Sequence, residues 1–174
     1  MKKVSVVIPM YYEQEVAEVC YKRVKKVLDE LKEKYEHEII FINDGSKDKT
    51  LDILQDIAKV DKNVKIISFS RNFGHQAAVT AGLKYVTGDA IIIIDADLQD
   101  PPELIPDMIE KWEQGYEVIY GKRKKRNGES AFKLLTAKAF YTALNKLSDV
   151  DIPGDTGDFR LVDKKVVDVI NSLP

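Results

Sequence analysis

Four consecutive isoleucines, Ile91 to Ile94, run straight into Asp95-Ala96-Asp97-Leu98-Gln99-Asp100-Pro101-Pro102-Glu103, and no other segment leaves the chain fewer folds to choose from. An unbroken apolar run suits a strand of a parallel sheet covered on both faces, and ligands of open α/β sheets collect outside the carboxyl ends of such strands. Asp95 and Asp97 fall at that end. Hard carboxylate oxygens suit Mg²⁺ or Mn²⁺, and Mg²⁺ is usually held by one or two carboxylates plus substrate phosphates, so a nucleotide diphosphate is the first partner to expect. Asp100, Pro101, Pro102 and Glu103 read as an N-cap, a proline-tolerant first turn and a capping box. Capping accounts for Asp100 and Glu103 well and for Asp95 poorly, since a strand's last residue needs no cap.

Strand and helix patterns alternate along the rest of the chain. Strands are expected over 4–9, 38–43, 64–70 and 118–121, besides the isoleucine run. Helices are expected from 15 to about 35, with Val16, Val19, Cys20, Val24, Val27, Leu28 and Leu31 at helical spacing, and over 48–60, 75–85, 103–113 and 130–147. This βαβ alternation implies an α/β fold with a Rossmann-like, mainly parallel sheet flanked by helices. At 174 residues and 44% hydrophobic content, one globular domain suffices. A net charge of -2, from 27 basic and 29 acidic residues, gives no general affinity for nucleic acid. The lone Cys20 excludes an internal disulfide and reads as a core thiol. Met1-Lys2-Lys3 leads directly into a strand, unlike a signal peptide, and no stretch approaches the roughly 20 apolar residues of a membrane span.

Each polar cluster follows a strand, where a doubly wound sheet gathers its ligand contacts. Pro9-Met10-Tyr11-Tyr12-Glu13 follows the first, Asn43-Asp44-Gly45-Ser46-Lys47-Asp48-Lys49-Thr50 the second, and Ser70-Arg71-Asn72-Phe73-Gly74-His75-Gln76 the third. Together with the Asp95 segment they resemble, in order and over nearly the whole chain, the inverting glycosyltransferases of family 2, which have the GT-A fold. A finer resemblance is to the subgroup that transfers sugar to polyprenyl phosphate, similar to bacterial polyprenyl-phosphate glucosyltransferases and dolichol-phosphate mannosyltransferase. It is carried by Arg71 to Gln76, by Asp95 to Glu103, by Gly121-Lys122-Arg123-Lys124-Lys125-Arg126 and by Asp155-Thr156-Gly157-Asp158-Phe159-Arg160. Two departures stand out. Tyr12 stands where the family usually has Asn before Glu13. The chain also stops at Pro174, where members of the subgroup commonly continue into interface and transmembrane helices. The expectation is one catalytic domain over 1–174, truncated before a C-terminal membrane region, with a naturally short member as the alternative.

The resemblance implies an inverting enzyme that moves a hexose, glucose in the first instance, from a UDP-sugar to a polyprenyl phosphate at the cytoplasmic face of the cell membrane. It implies Mg²⁺ or Mn²⁺ held by Asp97 first, with Asp95 beside it and Gln99 as neighbour. The implied donor site comprises Pro9, Tyr11, Glu13, Asp44, Arg71, Asp95, Ala96 and Asp97, with Asp44 accepting from the N–H of a uracil or guanine. Arg123, Arg126 and Arg160 are implied as phosphate or acceptor contacts, bidentate geometry favouring arginine over Lys124 and Lys125. Asp158 is the implied catalytic carboxylate, with Asp155 second. Whether Asp158 removes a proton or orients the acceptor stays open, because a phosphate monoester with a second pKa of about 6 is already largely anionic at neutral pH.

Plainer readings stand beside these. Residues 43–50 also suit a turn and helix cap, and 154–158 a polar turn before a strand. His75, after Gly74 at a helix start, suits either a phosphate-facing donor or a surface histidine, and neither His75 nor His37 has zinc spacing. In the 130–147 helix, Phe132, Leu135, Ala139, Phe140, Ala143, Leu144 and Leu147 form one apolar stripe behind the basic run from Lys122 to Arg126. A core helix or an oligomer contact explains the stripe; the resemblance favours a membrane surface. Three rival functions remain: a family 2 enzyme with a polysaccharide or other sugar acceptor, a GDP-mannose-using enzyme, and a nucleotide-sugar-binding module without turnover.

Overall fold

The isoleucine run is buried on both sides: Ile91, Ile92 and Ile94 have no exposed surface and Ile93 only 3%. In the computed structural model, which describes residues 1–122 and 156–173, these residues separate two apolar layers. Ile92 and Ile94 point into a core with Val4, Val6, Ile8, Phe41, Leu54 and Trp112. Ile91 and Ile93 point the other way, to Val7, Ile40, Ala78, Leu83 and Val167. Successive strand residues face opposite sides, so an apolar run without alternation is stable only when helices cover both. Each isoleucine so buried contributes about 1.5–3 kcal/mol.

The strands are β1 (Lys2–Met10), β2 (Tyr35–Asn43), β3 (Val64–Ser68), β4 (Ala90–Ile93), β5 (Val118–Lys122) and β6 (Thr156–Asp163). The helices are α1 (Ala17–Glu30), α2 (Thr50–Val60), α3 (His75–Tyr85), α4 (Ile105–Glu113) and α5 (Lys164–Ser172), with a 3-10 turn at Pro102–Leu104. The sheet order is β3-β2-β1-β4-β6-β5. β1 runs parallel to β2 and β4, and β2 to β3, whereas β6 is antiparallel to β4 and sets Arg160 opposite Ile93. α1, α2 and α4 cover one face, α3 and α5 the other. Residue contacts divide the chain into a main unit, Met1–Ile119 with Asp158–Pro174, and a second, Tyr120–Gly157. Arg123, Lys124, Lys125, Arg126, Asp155 and the helix expected over 130–147 lie outside the described residues. Among the described residues no helix is long and apolar enough to cross a membrane.

Several boundaries differ from expectation. α1 is shorter than the 15–35 pattern: Val19 is 49% exposed, and the chain turns so that buried Tyr35 opens β2 opposite Lys2. α2 starts at Thr50 rather than 48, and β3 ends at Ser68. Pro101 and Leu104, the N-caps of the 3-10 turn and of α4, make no side-chain cap bond, and the Glu103 carboxylate takes a two-pronged ion pair from Arg23 of α1, at 2.7–3.2 Å. A guanidinium fork offers a carboxylate more than one backbone N–H can. Cys20 is the expected core thiol, and burial pushes its pKa up to about 12.

At the amino ends of the strands, Glu38 is 1% exposed and ties four segments together. Its carboxylate accepts from Ser5 Oγ (2.6 Å), Thr87 N (2.7 Å) and Lys65 Nζ (2.6 Å), with Lys3 Nζ at 3.3 Å. Burial pushes its pKa up, but the bonds from Lys65, Ser5 and Thr87 outweigh it and hold it at about 2 against an ordinary 4.5. A depressed carboxylate pKa stabilises the fold fully above the ordinary value and loses that effect as pH falls through the depressed one, here between 4.5 and 2. The difference corresponds to about 3 kcal/mol. Urea unfolding of Glu38→Gln should therefore show a loss of about 2–3 kcal/mol at pH 7 that shrinks steadily below pH 4.5. A pH-independent deficit would show that shape, not charge, holds this junction.

Candidate active site

At the opposite, carboxyl ends of the strands, the loops after β1 and β2 are fastened to each other. Three successive amides after β1 donate to side chains of the β2–α2 loop: Tyr12 N to Ser46 Oγ (3.0 Å), Glu13 N to Thr50 Oγ1 (2.9 Å) and Gln14 N to Asp48 Oδ2 (3.3 Å). Gln14 Oε1 accepts in return from Lys49 N (3.1 Å). The Ser, Asp and Thr that suggest a turn and cap in the sequence thus also place Glu13. Asp44, 3% exposed, organises the next loop: Oδ1 accepts from Phe73 N (2.7 Å), and Oδ2 from Gly74 N (2.9 Å) and Asn72 Nδ2 (3.0 Å).

The acids meet in a cleft of about 280 Å³ lined by Pro9, Met10, Tyr11, Glu13, Asp44, Asn72, His75, Ala78, Asp95, Ala96, Asp97 and Asp158. Seven of the eight expected donor-site residues line it; Arg71 does not, its exposed guanidinium lying 4.1 Å over the Phe73 ring. Of the expected metal ligands, Asp95 and Asp97 line it, while Gln99 is exposed and donates its N–H to Asp97 Oδ1 (3.0 Å), closing an Asx turn. The tightest grouping of ligand atoms among the described residues joins Asp95 to His75 and Asp158, all within 4.8 Å of one another. His75 Nε2 stands 3.3 Å from Asp158 Oδ2 and 3.9 Å from Asp95 Oδ1, and Arg160 donates to Asp158 Oδ1 at 3.0 Å.

Asp158 reaches the cleft because the motif that carries it is strand β6 itself, not a turn ahead of a strand. Asn72, Met10 and Ala78 are cleft residues that sequence reasoning did not assign, and His75, left open between a phosphate-facing donor and a surface histidine, is a cleft residue as well. For His75 the available signal was its place as first helical residue after Gly74, the same strand-end position that identified the acids.

Electrostatically the cleft is unbalanced. Burial, followed by the charges of Asp97, Asp48 and Asp95, raises the Glu13 pKa. Burial also raises that of Asp95, where Asp158, Asp97 and Asp100 add to it and His75 opposes. Carboxylates packed so that each disfavours the other's charge, in oxygen-rich surroundings with one imidazole, are a donor set suited to a divalent cation.

A sequence model described as glycosyl transferase family 2 matches residues 5–170. An uncharacterised glycosyltransferase of Bacillus subtilis strain 168 is 56% identical over 169 residues, covering 97% of this chain and 52% of that protein. A prophage bactoprenol glucosyl transferase homolog of Escherichia coli K12 is 47% identical over 172 residues, covering 99% of this chain and 56% of that protein. The chain spans about half the length of these relatives. Among solved structures, glucosyl-3-phosphoglycerate synthase of Mycobacterium tuberculosis, in complex with Mn²⁺, UDP-glucose and phosphoglyceric acid, superposes with a TM-score of 0.67 at 20% identity, covering 95% of this chain and 58% of that one. That likeness is one of fold, the GT-A arrangement.

Proposed function

The chain belongs to glycosyl transferase family 2, and from that premise we propose that it moves a hexose, glucose, from a UDP-sugar to a polyprenyl phosphate with the help of Mg²⁺ or Mn²⁺. The observation that carries this reading is the convergence of Glu13, Asp95, Asp97 and Asp158 on one cleft, at the carboxyl ends of β1 and β4 and near the amino end of the antiparallel β6. The polyprenyl acceptor and the glucose are supported by the relative named bactoprenol glucosyl transferase homolog, and a lipid acceptor of that kind supports a site of action at a membrane surface.

In this reaction an acceptor phosphate oxygen forms a bond to the anomeric carbon while the bond from that carbon to the donor diphosphate breaks. UDP departs with the electron pair on the opposite side, so the configuration inverts. A bound divalent cation supplies Lewis-acid neutralisation of the departing diphosphate, and Asp95 and Asp97 are the residues to hold it. Asp44 uses three of a carboxylate's roughly four acceptor sites on the Asn72–Gly74 loop and has capacity for one base N–H. Asp158, held by Arg160, orients the acceptor; little proton abstraction is needed from a phosphate that is already anionic.

Calorimetric titration with UDP and GDP, each with Mn²⁺ and with EDTA, tests the donor half of the proposal. Binding of UDP that needs Mn²⁺ and is lost in Asp97→Ala is the expected result. Preference for GDP would overturn the choice of base, and metal-independent binding would overturn the role of the carboxylates. Glucosyl transfer to a short-chain polyprenyl phosphate in detergent tests the acceptor half.

A further inference from the structure

We propose that Tyr12 is a positioning residue for nucleotide recognition: it braces Tyr11 as an aromatic wall against the donor's base. The inference rests on the donor reading above. Tyr12 has φ +58°, in the left-handed region where a bulky side chain is strained and where Asn or Gly sits more easily. Strained backbone persists only where its surroundings over-determine it. Here the amides of Tyr12, Glu13 and Gln14 are captured in succession by Ser46, Thr50 and Asp48, so the conformation is imposed from the neighbouring loop.

What the strain secures is ring placement. The Tyr11 and Tyr12 rings meet edge to face, centroids 4.6 Å apart at 76°, a favoured aromatic geometry. Tyr12 is 48% exposed and does not line the cleft, so core burial does not account for its ring. Tyr11 lines the cleft beside Pro9 and Asp44 while itself 46% exposed, which without a neighbour would leave it free to change rotamer. A flat, rigid face held from the side suits a planar ring such as a nucleobase.

The test is titration of the chain with UDP in the presence of Mn²⁺, paired with thermal unfolding, on Tyr12→Asn, Tyr12→Phe and Tyr11→Ala. Tyr12→Phe keeps the ring and should bind as the parent does. Tyr12→Asn should weaken UDP binding about 3- to 10-fold through loss of the aromatic pair, yet raise Tm by about 2 °C as the strain is relieved. Opposite signs in affinity and stability are what a merely structural residue would not give. Parent-like affinity in Tyr12→Asn, with binding weakened in Tyr11→Ala, would overturn the brace alone. Weaker binding together with a lower Tm in Tyr12→Asn would also overturn it, since the loop itself would have failed. Parent-like affinity in Tyr11→Ala would overturn the donor wall and the inference with it.

Discussion

Asp95→Asn is expected to lower turnover at least about a thousandfold and to remove Mn²⁺-dependent UDP binding, without loss of folding stability. The activity loss follows from taking one carboxylate from the site proposed to hold the cation, whose Lewis-acid contribution is several kcal/mol at about 1.4 kcal/mol per tenfold. The stability outcome follows from the charge arrangement. Burial, reinforced by Asp158, Asp97 and Asp100 against the pull of His75, holds the Asp95 pKa above its ordinary value. For an acid whose folded pKa is raised, ionisation works against folding. That penalty is absent below the ordinary pKa, where both states are protonated, and complete above the raised one. At neutral pH a neutral isostere thus removes a penalty from the metal-free protein. Thermal unfolding in EDTA beside a steady-state transfer assay reads both effects, and a Tm drop parallel to the activity loss would show that Asp95 holds the fold rather than the donor.

Gly45→Ala is the second large effect, and it acts on structure first. Gly45 has φ +69°, and a Cβ there would lie 2.3 Å from the Arg71 carbonyl carbon and 2.6 Å from Asn72 N. These are backbone atoms, so no rotamer change makes room. Left-handed strain of about 1–2 kcal/mol adds to overpacking of about 1–3 kcal/mol, and a loss of about 3–4 kcal/mol should lower Tm by about 10 °C. The loop that must give way holds the amides of Phe73 and Gly74 on Asp44, so nucleotide binding should weaken in whatever fraction stays folded. Gly115→Ala is the control: its φ is +98°, but a Cβ there meets nothing within 4 Å, so only the strain should appear. Equal losses in the two variants would mean that the contact between the loops is soft.

Both effects trace to the layout of strands and loops, and much of that layout is legible in the residues. The isoleucine run and its acids place β4 and the cleft, and α3 begins and ends where its pattern does, because apolar periodicity reports directly on which faces are covered. Pairings that depend on a partner from elsewhere are not legible. Glu103 reads locally as a capping residue, and its ion pair with Arg23 of α1 has no local signal. The 15–35 apolar pattern overstates α1 because Tyr35, at its far end, is needed in the sheet opposite Lys2. Asp158 sits in a motif too polar to announce a strand, and its place in β6 follows from that strand's joining the sheet between β4 and β5.

By itself, then, the sequence determined the alternation of strands and helices, the burial of the sheet on both faces and the placing of acids at strand ends, since these follow from local periodicity and from the polarity of each turn. Tertiary structure alone decided that Asp95 shares its space with His75 and Asp158, that Arg71 lies outside the cleft on Phe73, and that Tyr12 is held in a conformation its side chain resists. Those outcomes depend on register and on contacts between segments far apart in the chain, where a shift of one residue would turn a side chain to the opposite face.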